Sequence, residues 1–349
     1  MPTWVGFGKL DRGCDQKLVP TILETLMTIN RRTFLAALTA APAATLVSGQ
    51  AQAESSPAKT GLPPVLHQFS LGDARVTVFL DGHLPLGPQL FANYDAQKAN
   101  AVLAQGLHQM TPEGVNIPVN GYLVERGSEK MLIDAGTADL MGPNLGAMGA
   151  GLAAMGVKPT EITTVLLTHM HPDHSGGLVS QDGQAVFPNA ELVVSQVEWG
   201  FWHDDAIMAS VPEGSRAFFQ MARTTVAPYQ NRLRLIEGEA AVVAGITSLP
   251  LPGHTPGHMG YMLDSGGQQL LFWGDIIHST ALQFAYPDWT IAFDTDPVLT
   301  ATTRHKMLDR AASEGLLLTG SHIDFPGLGR VLRQSEGYRY QAAPWQFGL

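Results

Sequence analysis

The run Thr168-His169-Met170-His171-Pro172-Asp173-His174-Ser175-Gly176-Gly177 places three imidazoles and a carboxylate within six residues. It follows at once on Thr163–Leu167, a β-branched apolar stretch that reads as a buried strand. A donor-rich loop at a strand end constrains the fold, because its partners must come from other strand ends. His169 and His171 stand two apart and can face one side of an extended segment. After the turn at Pro172, Asp173 and His174 can face another, a spacing that serves two adjacent metal ions better than one. The chain has only 12 histidines, so a chance cluster of this density is a poor alternative.

The partners are present. Leu251-Pro252-Gly253-His254 follows a strand read over Gly245–Pro250, and Thr319-Gly320-Ser321-His322 ends one over Leu316–Thr319. Asp275 closes Gln269–Trp273 and has a carboxylate that can bridge two cations. Further strands are read at Tyr122–Glu125 and Lys130–Ile133, around the hairpin signal Arg126-Gly127-Ser128, and at Glu191–Ser195 and Tyr261–Leu263. The spacing of Leu145, Met148, Leu152 and Met155 predicts an amphipathic helix stopped by Gly156 and Pro159. Pro297–Ala312 is a second helix, with Asp296 as N-cap and Pro297 at its first position. Short strands and helices in alternation, with polar residues at strand ends, fit an α/β sandwich.

Composition narrows the function. Charged residues are 15% and hydrophobic ones 45%, enough for a large core. The formal net charge of -10 disfavours a nucleic-acid partner. Cys14 is the single cysteine, which excludes a disulfide framework and a cysteine-ligated zinc in the body of the chain. Asn30-Arg31-Arg32-Thr33-Phe34-Leu35, the apolar run to Val47 and Ala51-Gln52-Ala53 have the order of a twin-arginine signal peptide with its cleavage site. Residues 1–53 are therefore expected to be an N-terminal extension and signal, with residues 1–26 an over-extended start before Met27. A linker over 54–65 and one domain over 66–349 follow, and the mature protein is expected in the periplasm or outside the cell, without a membrane span.

From about Gly121 to Gly329 these motifs resemble the metallo-β-lactamase superfamily. The resemblance implies a four-layer αββα sandwich with metals at one edge. His169, His171 and His254 would bind a first ion, Asp173, His174 and His322 a second, and Asp275 would bridge them. Asp134, in Leu132-Ile133-Asp134-Ala135-Gly136, matches a supporting aspartate, and His258 a residue that braces its loop. Two divalent ions are implied, with zinc suited to these donors and iron, manganese or cobalt also accepted. A hydroxide shared between them would be the nucleophile.

Asp173 and His278 are the candidate catalytic side chains. His278 stands three residues after Asp275, where related lactonases often have a tyrosine. It is expected to hydrogen-bond substrate or protonate the leaving oxygen, the alternative being a merely packed side chain. Candidate pocket walls are Trp202, Phe219, Phe284, Ile291 and Phe293, against the alternative of ordinary core. His67, His83, His108, His203 and His305 lack any motif.

Asp134-Ala135-Gly136-Thr137, Met141–Gly146 and Ser321–Gly329 resemble the methyl parathion hydrolase branch, whose exported members are often dimers. The substrate implied is a small ester or lactone. A lactonase or arylesterase with phosphotriesterase side activity is the leading reading. A main organophosphate triesterase, an N-acyl homoserine lactone quorum-quenching lactonase and an exported, non-catalytic metal-binding protein are the alternatives. Glyoxalase II-like thioesterases share the ligands, but a glutathione substrate fits an exported enzyme poorly.

Overall fold

A computed structural model describes residues 64–344. The extension, the twin-arginine signal and nearly all of the expected linker lie outside the described residues. Val65, the linker's last residue, already belongs to the first strand.

Strands β1 (Val65–Leu71), β2 (Ala74–Leu86), β3 (Met110–Thr111), β4 (Gly114–Arg126), β5 (Glu129–Ile133), β6 (Thr164–Leu166), β7 (Glu191–Ser195) and β8 (Leu233–Ile236) form one sheet. The second contains β9 (Ala241–Val243), β10 (Ile246–Pro250), β11 (Met259–Ser265), β12 (Gln268–Phe272), β13 (Leu317–Thr319), β14 (Gly329–Arg333) and β15 (Tyr338–Ala342). The period-2 alternation of side chains separates two cores. Val76, Val78, Tyr122, Val124, Met131 and Ile133 point between the sheets, where they meet Tyr261, Leu263, Leu270 and Phe272. Phe79, Leu123, Leu132, Val165 and Leu192 point the other way, to a helical layer. Helix α1 (Ala96–Gln105) lies apart, with Ala99 and Leu103 packed against Leu86, Ile117 and Leu282, and the layer itself contains α2 (Met148–Ala154), α3 (Pro172–Ser175), α4 (Gln196–His203), α5 (Asp205–Ser210) and α6 (Glu213–Val226). On the far face of the second sheet, Leu271, Trp273 and Leu318 are covered by α7 (Thr280–Ala285) and α8 (Pro297–Glu314). The result is the αββα order expected.

Strand direction explains where a site can form. β5 and β6 run parallel, as do β12 and β13; β10 and β12 are each antiparallel to β11, so they share one direction. The loops after β5, β6, β10, β12 and β13 therefore leave at C-terminal strand ends, where polar groups can gather without breaking a ladder. Met259 N–H donates to Thr168 O at 2.8 Å and Tyr261 Oη to Leu167 O at 2.8 Å, stitching the sheets at that edge.

Two local readings differ. The helix read from Leu145 begins only at Met148, because Asp81 accepts the backbone N–H groups of Gly146 and Met148 and turns the chain first. Pro172 begins the one-turn helix α3 rather than a bare turn, since proline needs no donor at a first helical position.

Candidate metal centre

The loop after β6 is held by its neighbours. Asp134 sits at φ +60, a backbone region rare for a side-chained residue, and spends its carboxylate on the loop. One oxygen accepts Thr168 N–H at 2.8 Å; the other accepts Thr168 Oγ1 at 2.8 Å and faces His174 Nδ1 at 2.7 Å. A Cβ on Gly177 would stand 2.0 Å from Ala135 O, which explains the glycine after His174-Ser175-Gly176. Glu198, fully buried on α4, joins this loop to the one after β10. It accepts from Met170 N and Trp202 Nε1 with one oxygen, and from Thr255 Oγ1 and Gly257 N with the other. Burial pushes its pKa up, against those hydrogen bonds. Asn120 accordingly fixes the loop after β13: its backbone N–H reaches Ser321 O and its Nδ2 reaches Gly320 O and Ile323 O.

These loops bring together all seven residues read as ligands. Donor atoms of His169, His171 and His254 lie within 4.8 Å of one another, and so do those of Asp173, His174, Asp275 and His322. Asp275 Oδ2 stands between the groups, at 3.4 Å from His254 Nε2, 3.6 Å from His169 Nε2, 3.3 Å from His174 Nε2 and 3.2 Å from His322 Nε2.

The donor set fits metal ions. His171 Nδ1 lies 3.0 Å from His169 Nε2 and 3.1 Å from His254 Nε2, so three ring nitrogens converge with too few protons between them. His174 Nε2 and Asp275 Oδ1 are buried without a hydrogen-bond partner, a costly arrangement unless a cation takes their lone pairs. Three of the imidazoles are tied through Nδ1, leaving Nε2 for the centre: His174 by Asp134, His254 by Asp294 at 2.8 Å, and His322 by Pro118 O at 2.8 Å. Burial holds His171 down to about 3, so it stays neutral as a ligand must.

His258 does not join them. Its Nδ1 donates to Leu251 O at 3.0 Å and its Nε2 accepts Asp275 N–H at 3.0 Å, so it braces two ligand loops. Gly274, at φ +57, leaves room for it: a Cβ there would meet His258 Nε2 at 2.5 Å. His278 is buried between His254 and His322, with ring centroids 4.7 and 5.1 Å away, and neither of its nitrogens makes a well-directed hydrogen bond. Its Nε2 lies 3.2 Å from Asp275 Oδ2. Burial lowers its pKa to about 4, although Asp275 opposes this.

The pocket candidates divide. Trp202 lies 5.5 Å from the His171 ring, and Phe293 lies 6.5 Å from Phe218, itself 6.0 Å from His171. Phe219 is corrected to core: it is buried against Phe201 and Trp202, and one residue of helical rotation gives the site-facing place to Phe218. Phe284 is also core, its ring tilted against those of Trp273 and Tyr340 on the helix side of the second sheet. Ile291 is buried in a separate cluster with Phe91, Leu282 and Trp289. A cavity of about 420 Å³ lined by Tyr286, Trp289, His305 and Arg333 contains none of the seven donors. His108 and His305 pair with Asp324 and Asp288, both at 2.8 Å, away from the donor groups.

Sequence reading missed Glu198, Asn120, Asp294 and Arg304. The fully buried Arg304 donates to Ile276 O at 2.6 Å and to Pro287 O at 2.8 Å, holding the segment after Asp275, and burial lowers its pKa to about 10. A glutamate among Val197, Trp199 and Trp202 was the one available signal, since a lone charge in an apolar helix is usually buried for a reason.

Comparison with known proteins agrees with this geometry. A family model described as the metallo-beta-lactamase superfamily matches residues 115–322. Among curated relatives, an N-acyl homoserine lactonase of a Bacillus species is 24% identical over 190 residues, 49% of this chain and 66% of that protein. One from Bacillus cereus is 25% identical over 176 residues, 45% and 62% respectively. The matched part thus spans a little under two thirds of those relatives. Among solved structures, the hydrolase AbOPH of the beta-lactamase superfamily aligns with a TM-score of 0.76 at 33% identity, covering 80% of this chain and 98% of that one. AidC, a dizinc quorum-quenching lactonase solved with a homoserine product, aligns at 0.74 and 25% identity, covering 81% and 99%.

Proposed function

The chain belongs to the metallo-β-lactamase superfamily, and on that premise we propose that it is a dinuclear metal-dependent hydrolase that opens lactones and cleaves aryl esters. Asp275 Oδ2 amid the imidazoles of both donor groups is the observation that carries it. Two divalent ions bound there would acidify a water and polarise the carbonyl oxygen of an ester. Zinc suits the imidazole and carboxylate donors.

The chain's own side chains do the rest. Asp134 keeps the proton of His174 on Nδ1, so that Nε2 stays free to bind. Phe218 and Phe293, both partly exposed, give the mouth an apolar side that favours an acyl or aryl group over water. His278 is neutral near pH 7 because burial lowers it to about 4. That supports donation of a hydrogen bond to the substrate oxygen, and less so transfer of a proton from an imidazolium. Lactones are favoured because the curated relatives and AidC are named as lactonases. Phosphotriester cleavage is a side activity of the same centre. Export through the twin-arginine route, and assembly as a homodimer, belong to the same proposal. The export part rests on Arg31-Arg32 and the apolar run after them.

The test is metal analysis of the purified protein together with rates on dihydrocoumarin, acyl-homoserine lactones, p-nitrophenyl acetate and methyl paraoxon. We expect two ions per chain and the highest kcat/KM on a lactone. Bound metal with no turnover of any of the four would leave the metal-binding alternative standing and end the hydrolase reading. Replacing His278 by Ala should lower kcat on lactones; an unchanged rate and pH profile would remove its role.

A further inference from the structure

Asp294 has no place in any motif read from the sequence, yet it touches two parts of the site at once. Its side chain is fully buried. Oδ1 lies 2.8 Å from His254 Nδ1, and Oδ2 accepts the backbone N–H of Ile291 at 2.9 Å. Its own N–H returns to Ile291 O at 3.0 Å, closing the 291–294 turn that carries Phe293. On one side of that turn, Thr295 N–H and Oγ1 both donate to His254 O at 2.9 Å, and Asp296 N–H to Gly253 O at 3.0 Å. On the other, Ala292 N–H donates to Leu90 O and Ala92 N–H to Thr290 O, each at 2.8 Å, joining the turn to the arm before α1.

We propose that Asp294 is a positioning residue that couples the turn carrying Phe293 to the metal-binding nitrogen of His254. The inference rests on the dinuclear reading above. The chemistry is specific. To bind through Nε2, His254 must hold its proton on Nδ1 and donate it. Ile291 N–H is a donor too. Two donors facing one side chain from opposite directions need two acceptor oxygens, which a carboxylate has and an amide lacks. In an Asp294→Asn variant the amide NH2 must face either the imidazole N–H or the Ile291 N–H. One bond is lost, and a buried donor is left unpaired. The turn and the ligand therefore cannot both keep their places.

The test uses full-length holoenzyme, wild type and D294N, in three readings: zinc affinity by chelator competition, the visible spectrum after cobalt substitution, and KM against kcat on a small and a bulky lactone. In D294N, affinity for the ion at His169, His171 and His254 is expected to fall about 10–100-fold, as when a supporting partner is removed. The ion at Asp173, His174 and His322 should stay, and KM for the bulky lactone should rise more than for the small one. Asp294→Glu, which keeps both acceptors, should recover part of each. Equal affinity for both ions in D294N and wild type, with KM unchanged, overturns the coupling and leaves the metal reading intact. A wild type that takes up no divalent ion overturns both. Should D294N fail to fold, proton NMR of the wild-type holoenzyme decides. An exchange-protected, downfield Nδ1–H signal of His254 is expected, and its absence counts against the proposal.

Discussion

The two donor groups lie side by side with Asp275 Oδ2 between them, and are built on opposite electrostatics. His169, His171 and His254 are imidazoles alone. Burial holds His169 and His171 well below the usual imidazole range, with neighbouring imidazoles adding to it. The other group adds Asp173 to His174, Asp275 and His322. There burial also works against the charged imidazole, but the carboxylates of Asp275, Asp173 and, for His174, Asp134 overcome it and raise both rings. In return, and against their own burial, Asp173 and Asp275 are lowered by those rings. Identical side-chain types are thus lowered by burial on one side and raised by carboxylates on the other.

The largest effect should come from the residue common to both. Asp275→Asn removes the shared anion, and kcat/KM on dihydrocoumarin should fall by more than the roughly 10–100-fold typical of a supporting residue, with both ions depleted. Metal content near wild type would show that Asp275 does not join the groups. Next come His171→Ala and Asp173→Ala, each expected to lower the metal content from two ions to about one. Anomalous scattering at the zinc edge would locate the survivor in the opposite group. If either variant empties both groups, they are one site and the contrast fails.

A smaller effect follows from the pKa directions. The carboxylates around His174 and His322 raise both rings and so favour protons that a cation must displace from the second group, while burial lowers His171 to about 3. Calorimetric titration at pH 7 in two buffers of different ionisation enthalpy should show more proton release with the second-group ion than with the first. Equal release at both would remove the asymmetry. The smallest effect belongs outside both groups. Phe284→Leu should cost on the order of 1–3 kcal/mol of stability, read as a lowered Tm, with KM unchanged. A raised KM would return Phe284 to the pocket.

The comparison also shows what could be read without coordinates. The donor-rich loop was legible because its residues are adjacent, and its period of two after a strand specified an edge of a sheet. Asp275 and His322 were legible because each ends a β-branched or leucine-rich run. Walls were not. Phe218 and Phe219 differ by one helical position, about 100° around the axis, and no pattern in α6 indicates which one turns toward His171. The helix expected from Leu145 was delayed to Met148 by Asp81, a residue more than sixty positions earlier that captures its first donors.

By itself the sequence determined the kinds of donor, their order along the chain and the strand ends that present them, because ligand chemistry and strand periodicity are local properties. Tertiary structure alone decided which buried polar groups hold those donors in place. Glu198 gripping Met170 and Gly257, Asn120 gripping the His322 loop, and Asp294 between His254 and Ile291 each satisfy hydrogen bonds between segments far apart in the chain. Such partners are chosen by where the strands bring the backbone, and a buried donor pairs with whichever oxygen the fold places opposite it.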